Sequence, residues 1–151
     1  MTAPEYEAWI EEAVISYADE RAAATGIPLA VSLDKARAQL PMLLPEGHAT
    51  PGMQLFVIVD DTDSDVGNLW LGTDPDRPDT LFVWDISIRE QFRGRGLGRA
   101  AMLAAEDVAR QTHAVAMSLN VFGSNTVARR LYESLGYGVT AQQMLKNLHQ
   151  L

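Results

Sequence analysis

The chain has 151 residues, of which 47% are hydrophobic and 21% charged, and it contains no cysteine. This length fits a single globular domain, and the lack of cysteine excludes disulfides, thiolate metal sites and an acyl-cysteine intermediate. The net charge of -8 argues against a nucleic-acid partner. Because there is no apolar run of membrane-spanning length and no charged-then-apolar leader at Met1, we expect a cytoplasmic protein without a membrane partner.

The charge is unevenly distributed along the chain. Residues 1–85 hold 4 Lys/Arg against 16 Asp/Glu, whereas residues 86–151 hold 8 against 4. A basic half suits an anionic cofactor, and an acidic half suits a cationic ligand. Solvation of helix and loop surfaces is the plainer explanation for most of the acids.

The first third of the chain predicts two helices. Thr2 to Glu5 read as a capping box with a proline in the first turn, and apolar residues then recur at helical spacing until Gly26 and Pro28. A shorter helix is expected from Ser32, as its cap, through Leu40. Prolines and a glycine then interrupt the pattern, at Pro41, Pro45 and Gly47.

The rest of the chain alternates strands and helices. Residues 54–59, 66–71 and 81–88 predict an antiparallel meander. A helix should follow over residues 97–112, and a strand over 115–121 should pair in parallel, since a helix connects it to the previous strand. A helix from Ser124 or Asn125 to Gly136 and a last strand over 139–146 complete the prediction. The inner face of the helix over 97–112 is expected to comprise Leu97, Ala101, Ala104, Ala105 and Val108.

A glycine-rich loop joins the central strand to the long helix. It reads Arg93-Gly94-Arg95-Gly96-Leu97-Gly98. Backbone amides at the start of a helix lack partners inside it and attract anions, so the loop predicts a phosphate or pyrophosphate site, with Arg89, Arg93, Arg95 and Arg99 as nearby cations. Arg99 stands where a dinucleotide fingerprint has its third glycine, and the lysine and hydroxyl of a nucleoside-triphosphate loop are missing.

This loop resembles the cofactor loop of the GNAT superfamily of N-acetyltransferases, Arg/Gln-x-x-Gly-x-Gly/Ala. A second superfamily pattern, Asn-x-x-Ala-x-x-Leu-Tyr-x-x-x-Gly-Phe/Tyr, matches Asn125 to Tyr137. The resemblance covers roughly residues 54–146. It implies one α/β (α+β) domain over residues 1–151, whose mixed central sheet is mostly antiparallel, with a splayed parallel pair at the cofactor site and flanking helices. Residues 1–50 would form a helical acceptor-side region, and 54–146 the cofactor-binding core.

The resemblance implies that acetyl-CoA is the co-substrate and that no metal is needed. The loop amides would hold its pyrophosphate, and the backbone of the central strand would pair with its pantetheine arm. The cofactor-binding residues would be Ile86, Ser87, Ile88, Arg93, Gly94, Arg95, Gly96, Leu97, Gly98, Arg99 and Asn125. Asn125 is also suited to cap a helix, and the two roles can coexist. None of the three histidines, His48, His113 and His149, resembles a metal or triad arrangement.

The resemblance also suggests catalytic residues. Tyr132 matches the general acid that reprotonates the CoA thiolate, although Tyr132 would also suit the core face of its helix. Asn120 stands where some members carry a catalytic glutamate, and an amide cannot accept a proton at neutral pH. A water-relayed base is therefore expected, with Asp85 at its charged end, unless Asp85 is a structural carboxylate paired with an arginine.

The position of Asp85 within its strand leaves a further alternative. Strict alternation places Asp85 on the face opposite Trp84 and Ile86, unless a bulge turns it. Trp84 and Asn120 are assigned to the acceptor side, although core packing of Trp70 and Trp84 is the simpler interpretation.

These observations predict an enzyme that moves an acetyl group from acetyl-CoA to a primary amine by direct attack in a ternary complex. The acceptor is left open between a cationic small molecule, such as a polyamine or aminoglycoside, and a protein N-terminus or lysine. A non-catalytic CoA- or acyl-CoA-binding sensor is the alternative from another class. Apolar surface on the first helix and the last strand would also suit a homodimer.

Overall fold

The structure, a computed structural model, describes residues 1–148 and contains four α-helices and four strands in this range, together with two short 3₁₀ helices (Gly47–Ala49 and Glu90–Phe92). The helices and strands, in chain order, are α1 (Ala3–Thr25), α2 (Leu29–Leu43), β1 (Met53–Val59), β2 (Asp65–Thr73), β3 (Thr80–Ile88), α3 (Leu97–Gln111), β4 (Ala116–Leu119) and α4 (Thr126–Ser134). The sheet order is β1-β2-β3-β4, with antiparallel pairing except between β3 and β4, which are parallel. The predicted mixed α/β fold is thus confirmed.

Helix α1 forms as the sequence predicts. Thr2 accepts a hydrogen bond from the Glu5 amide and the Glu5 carboxylate accepts one from the Thr2 amide, which completes the capping box. Gly26, at a φ of 72°, ends the helix in the left-handed conformation that a glycine adopts without strain.

The predicted start of α2 is wrong. The helix begins at Leu29, directly after Pro28, and the Ser32 amide already bonds to the Pro28 carbonyl at 3.1 Å. Pro28 is the N-cap residue, with an extended ψ of 138°, and no side chain caps the helix. Ser32 is instead fully buried in the first turns, and Pro41 lies inside the last turn.

Two apolar cores lie on opposite faces of the sheet. Trp9, Val14 and Ala18 of α1 pack with α2 and with Trp70 on one face. Helix α3 covers the other face. Its buried residues are Ala101, Met102, Ala105 and Ala109, so the predicted inner face is rotated by about one residue. Ala104 is exposed and Met102 is buried in its place, because the longer side chain of Met102 buries more apolar surface.

The predicted last strand over residues 139–146 is wrong. This segment has no regular secondary structure, and Val139, Met144 and Leu145 are exposed. Its apolar residues do not alternate along one face, since Met144 and Leu145 are adjacent, and within residues 1–148 no strand pairs with it. Strand β4 is also shorter than the predicted 115–121. His149, to which the sequence analysis assigns no metal or triad role, lies outside the described residues.

Candidate functional site

A β-bulge in β3 determines which side chains face α1. Trp70 pairs with Asp85 and Leu71 pairs with Val83, so Trp84 has no partner of its own on β2. After this extra residue the side chains alternate between the two faces of the sheet again, but each lies on the face opposite to the one that uninterrupted alternation would give. Trp84 packs with the α1 core and Asp85 lines a cavity beside Trp9, whereas Ile86 packs with the α3 core. The expectation from strict alternation is therefore wrong, and the bulge places Asp85 on the same side as Trp84.

Asp85 faces a cavity of about 370 Å³ between α1 and the sheet. The residue is partly exposed to this cavity, but its carboxylate is closely enclosed by protein atoms. Burial, then the negative charges of Glu20 and Glu12, raise the pKa of Asp85 to about 6, and the polar N–H of the nearby Trp9 side chain opposes the rise. Within residues 1–148 no arginine lies within salt-bridge distance of Asp85, so the arginine-paired alternative is not what the structure contains.

The C-terminal half of β3 has a free edge beside this cavity. Parallel pairing with β4 ends at Val83 and Leu119, so Ile86, Ser87 and Ile88 have no strand partner on that side among the described residues. On the other side, a Cβ on Gly67 of β2 would lie 2.1 Å from the Ser87 carbonyl oxygen. Gly67, which the sequence analysis did not single out, therefore allows the close approach of β2 to the C-terminal half of β3.

The glycine loop forms an open N-terminus for α3. Gly94 and Gly96 have φ values of 72° and 78°, and a Cβ on either would meet no atom within 4 Å. Helix α3 starts at Leu97 without a side-chain cap, and its first helical bond runs from the Ala100 amide to the Gly96 carbonyl at 3.0 Å. The first amides of α3 are thus free to bind an anion, as the sequence predicts.

The arginines around the loop differ in their contacts. Arg89 forms an ion pair with Asp65 at 2.6 Å and lies 3.7 Å from Glu12, so it is not free to move toward an anion. Arg93 donates from Nε to the Ile88 carbonyl at 2.8 Å. Arg95 lies 5.6 Å above the Phe92 ring, and Arg99 donates to the Ser134 hydroxyl. Arg93, Arg95 and Arg99 therefore remain as cations without an acidic partner within residues 1–148.

Tyr132 lies on α4, packed at the edge of the α3 core. Burial, followed by the charges of Asp85 and Glu20, raises the pKa of its phenol, so the hydroxyl is protonated at neutral pH. Its hydroxyl makes no hydrogen bond to another described residue, whereas the hydroxyl of neighbouring Tyr137 donates to Met117 Sδ at 3.7 Å. Tyr132 thus has a core-facing ring together with a hydroxyl that is available for proton transfer.

The other predicted site residues, Asn125, Asn120 and Trp84, lie outside the cavity wall and at different places in the fold. Asn125 caps α4, accepting a bond from the Ala128 amide at 3.2 Å, which leaves its NH₂ group free to donate. Asn120 is exposed just after β4 and does not line the cavity. Trp84 stacks on Trp70 at 5.4 Å and is not part of the cavity wall, in line with the core interpretation.

Sequence reasoning missed the acidic face of α1. Trp9, Glu12, Ala13 and Ser16 line the cavity, and Glu20 lies one turn beyond Ser16. The signal was the spacing of these residues, since positions three and four apart share a helix face. Glu12 and Glu20 interrupt no apolar run, however, so they read as ordinary solvated acids. Their proximity to Asp85 depends on how α1 crosses the sheet.

A mixed sheet with a free-edged central strand, followed by a glycine loop at an open helix N-terminus, defines the class of acyltransferases that bind a CoA thioester. The model of the acetyltransferase (GNAT) family matches residues 27–137. The chain therefore belongs to the GNAT family and is an acetyl-CoA-dependent N-acetyltransferase.

Similar proteins agree with this assignment. The chain is 31% identical over 150 residues to the uncharacterized N-acetyltransferase YycN of Bacillus subtilis, covering 98% of this chain and 96% of the relative. The crystal structure of YycN superposes with a TM-score of 0.92, covering 99% of this chain and 96% of YycN at 29% identity. An L-2,4-diaminobutyric acid acetyltransferase of Streptomyces coelicolor is 40% identical over 63 residues, which are 40% of this chain and 36% of that enzyme.

Two further findings concern metal ions and membranes. Across residues 1–148, no group of three or more His, Cys, Asp or Glu side chains is arranged to hold a metal ion. None of the helices in the same range is long and apolar enough to cross a membrane.

Proposed function

We propose that the protein acetylates a primary amine of a cationic small molecule, by direct attack of the amine in a ternary complex with acetyl-CoA. The observation that carries this proposal is the enclosed carboxylate of Asp85, with a pKa raised to about 6, in a cavity that adjoins the free edge of β3. A carboxylate with this pKa is ionised at pH 7 and is a better proton acceptor than an ordinary aspartate.

The residues present fit acetyl-CoA. The uncapped amides at the start of α3 and the open space over Gly94 and Gly96 would hold the pyrophosphate, with Arg93, Arg95 and Arg99 as its counterions. The free edge of Ile86, Ser87 and Ile88 would pair with the amides of the pantetheine arm. The free NH₂ group of Asn125 would contact the same arm. When bound, acetyl-CoA supplies the activated acetyl thioester.

The chain's own residues then move the protons. An alkylammonium is only about one part in two thousand neutral at pH 7, so the acceptor must lose a proton before it attacks. Asp85 takes that proton, directly or through a water molecule, and the neutral nitrogen forms the new bond to the acetyl carbon. A backbone amide of β3 stabilises the charge that develops on the carbonyl oxygen. Tyr132, whose phenol is protonated at pH 7 and has a raised pKa, gives its proton to the departing sulfur. The second proton that the nitrogen loses after it has bonded to the acetyl carbon returns the tyrosinate to its neutral form.

The charge of the cavity supports a cationic acceptor. Asp85 lies near Glu12 and Glu20, and the arginine on the cavity wall closest to Glu12, Arg89, is already paired with Asp65. An ammonium group would relieve the repulsion among these carboxylates. The matched segment of the diaminobutyric acid acetyltransferase, whose acceptor carries two amino groups, is consistent with this choice.

A thiol-release assay with acetyl-CoA and amines ranging from polyamines and aminoglycosides to peptides tests the proposal, beside a calorimetric titration of acetyl-CoA. Turnover confined to small cationic amines is the expected result. Turnover on peptides alone would assign a protein acetyltransferase, and binding of acetyl-CoA without turnover on any amine would assign a sensor. Failure to bind acetyl-CoA would contradict the proposed role of residues 93–98.

A further inference from the structure

Asn68 is a buried amide on β2 that has no hydrogen-bond partner in the described part of the chain. Only 5% of the residue is exposed, yet its side chain makes no hydrogen bond within residues 1–148. Its amide atoms are not sealed from solvent either, since the sealed side-chain atoms without a partner in this range belong to Arg21, Ser32 and Trp84. Because Asn68 lines the cavity under α1, its amide opens into that cavity.

The alternation of side chains along β2 also directs Asn68 toward α1. Leu69 packs in the core on the α3 side and Trp70 in the core on the α1 side, so Asn68 shares the face of Trp70. Across the sheet Asn68 lies directly opposite Ser87 of β3, which lines the same cavity. The close approach that Gly67 allows brings the two strands together at this pair.

Asp85 and Ser87 form the floor of the cavity next to Asn68. They are two residues apart on β3 after the bulge, so they share a face, and roughly 6.6 Å of strand separates their backbone positions. The Ser87 hydroxyl, like the Asn68 amide, makes no hydrogen bond to another described residue. The floor therefore combines a carboxylate that lacks a cationic partner with a neutral amide and a hydroxyl that lack hydrogen-bond partners.

These groups bind different parts of an acceptor. The carboxylate of Asp85 accepts hydrogen bonds from an ammonium group, whereas the NH₂ group of Asn68 needs a lone pair, which an ammonium group does not have. A hydroxyl group both donates and accepts, so it can pair with the whole amide. A hydrocarbon chain or a second ammonium group would exclude water from Asn68 and leave its NH₂ group unpaired, which weakens binding.

We propose that Asn68, with Ser87, binds a hydroxyl group of the acceptor while its amine reacts beside Asp85, so that the preferred substrates are amino alcohols. This inference rests on the proposed amine acetylation and adds to it a residue that selects the acceptor. Because Asn68 and Ser87 lie one strand step from Asp85, the hydroxyl needs to be only a few ångströms from the nitrogen. A hydroxyl two carbons from the nitrogen meets this requirement.

The test compares 2-aminoethanol with n-propylamine, in which a methyl group replaces the hydroxyl. We expect the wild-type enzyme to prefer 2-aminoethanol by about tenfold in kcat/KM, since n-propylamine leaves a buried amide unpaired. Asn68→Leu should remove this preference: kcat/KM for 2-aminoethanol should fall about tenfold, while the value for n-propylamine stays within about twofold or rises. The limb of the pH profile that belongs to Asp85 should persist in the variant.

Ser32→Ala is the matched control. Ser32 is the fully buried residue on α2 whose hydroxyl also lacks a partner in the described chain, but it does not line the cavity. Its removal should change kcat/KM for neither amine selectively. Urea unfolding checks that each variant is folded, and Asn68→Ala, which adds no bulk, replaces Asn68→Leu if the leucine prevents folding.

The outcomes separate this inference from the proposed function. Equal kcat/KM for the two amines in the wild-type enzyme, or turnover of other amines but of neither member of the pair, would overturn the role of Asn68 and leave amine acetylation standing. An equal loss for both amines in Asn68→Leu would also overturn it, because Asn68 would then act only through the structure of the sheet. Absence of turnover on every amine would instead overturn the proposed function, and this inference with it.

Discussion

Trp70 on β2 lies opposite Asp85 on β3, and the register of the two strands shifts at this pair. The shift gives Trp84 no partner on β2, turns the carboxylate of Asp85 toward α1 and leaves Ile86 against the other core. A single extra residue thus provides both an aromatic wall and a carboxylate on the side where α1 closes the cavity. The raised pKa of Asp85 follows from this placement.

Replacing Asp85 by asparagine should lower kcat/KM by about 10² to 10³, because the amide fills the same volume but cannot accept a proton. The pH profile provides the sharper measurement. In the wild-type enzyme kcat/KM should rise with pH through an apparent pKa of about 6, as Asp85 ionises among Glu12, Glu20 and Tyr132. The variant should lack this limb, and a limb that persists unchanged in Asp85→Asn would show that another group titrates.

The same substitution should affect stability in the opposite direction to activity. The pKa of Asp85 is raised from 3.8 to about 6 in the folded state, so between these pH values the folded protein binds more protons than the unfolded chain. The contribution of Asp85 to the free energy of unfolding therefore falls as pH rises from about 4 to about 6, and stays low above that. This cost reaches at most about 3 kcal/mol.

Asp85→Asn removes this cost, so its stability relative to the wild-type protein should be greater at pH 8 than at pH 4. Urea unfolding of both proteins at the two pH values measures the difference. A difference in unfolding free energy between the two proteins that is independent of pH would mean that Asp85 titrates near its ordinary pKa.

Gly67→Ala should weaken the β2–β3 pairing next to the site. A Cβ at this position would lie 2.1 Å from the Ser87 carbonyl oxygen, which belongs to the backbone and cannot rotate away. Separation of the strands should cost about 2 kcal/mol or more in the free energy of unfolding. Gly138→Ala is the control, since a Cβ there meets no atom within 4 Å. Equal stability of the two variants, measured by urea unfolding, would contradict the close approach.

The parts of the fold that could be predicted from the sequence are those set by local patterns. The capping box at Thr2, the glycine that ends α1 and the short apolar runs of β1 to β3 each specify an element within a few residues. The uncapped start of α3 followed from the glycine loop for the same reason. Residues 139–146 show the limit, because a short apolar run does not by itself supply a neighbouring strand.

The candidate site could be predicted only in part. Local sequence patterns were sufficient to find Tyr132, Asn125 and the loop from Arg93 to Gly98, because each lies in a motif of contiguous residues. The bulge at Trp84 leaves no local signal, because the same residues fit either register and the choice depends on the energy of packing Trp84 against Trp70. The position of Glu20 depends on the crossing of α1 over the sheet, which is a tertiary property.

Replacing Tyr132 by phenylalanine tests whether its hydroxyl is the acid of the reaction. The ring keeps its packing and the lost hydroxyl bonds to no described residue, so the free energy of unfolding and the affinity for acetyl-CoA should stay close to the wild-type values. The value of kcat should fall by about 10², as expected for the loss of one proton donor. Thiol release and calorimetric titration of acetyl-CoA measure the two effects separately.

Tyr137→Phe is the matched control, because its ring lies 5.9 Å from that of Tyr132 and its hydroxyl is directed to Met117 Sδ. This variant should retain kcat within about twofold, since loss of a weak bond to sulfur removes no group from the reaction. Equal losses in the two variants would attribute the effect to packing of α4 against the core. A selective loss in Tyr132→Phe, with acetyl-CoA still bound, would identify its hydroxyl as the proton donor.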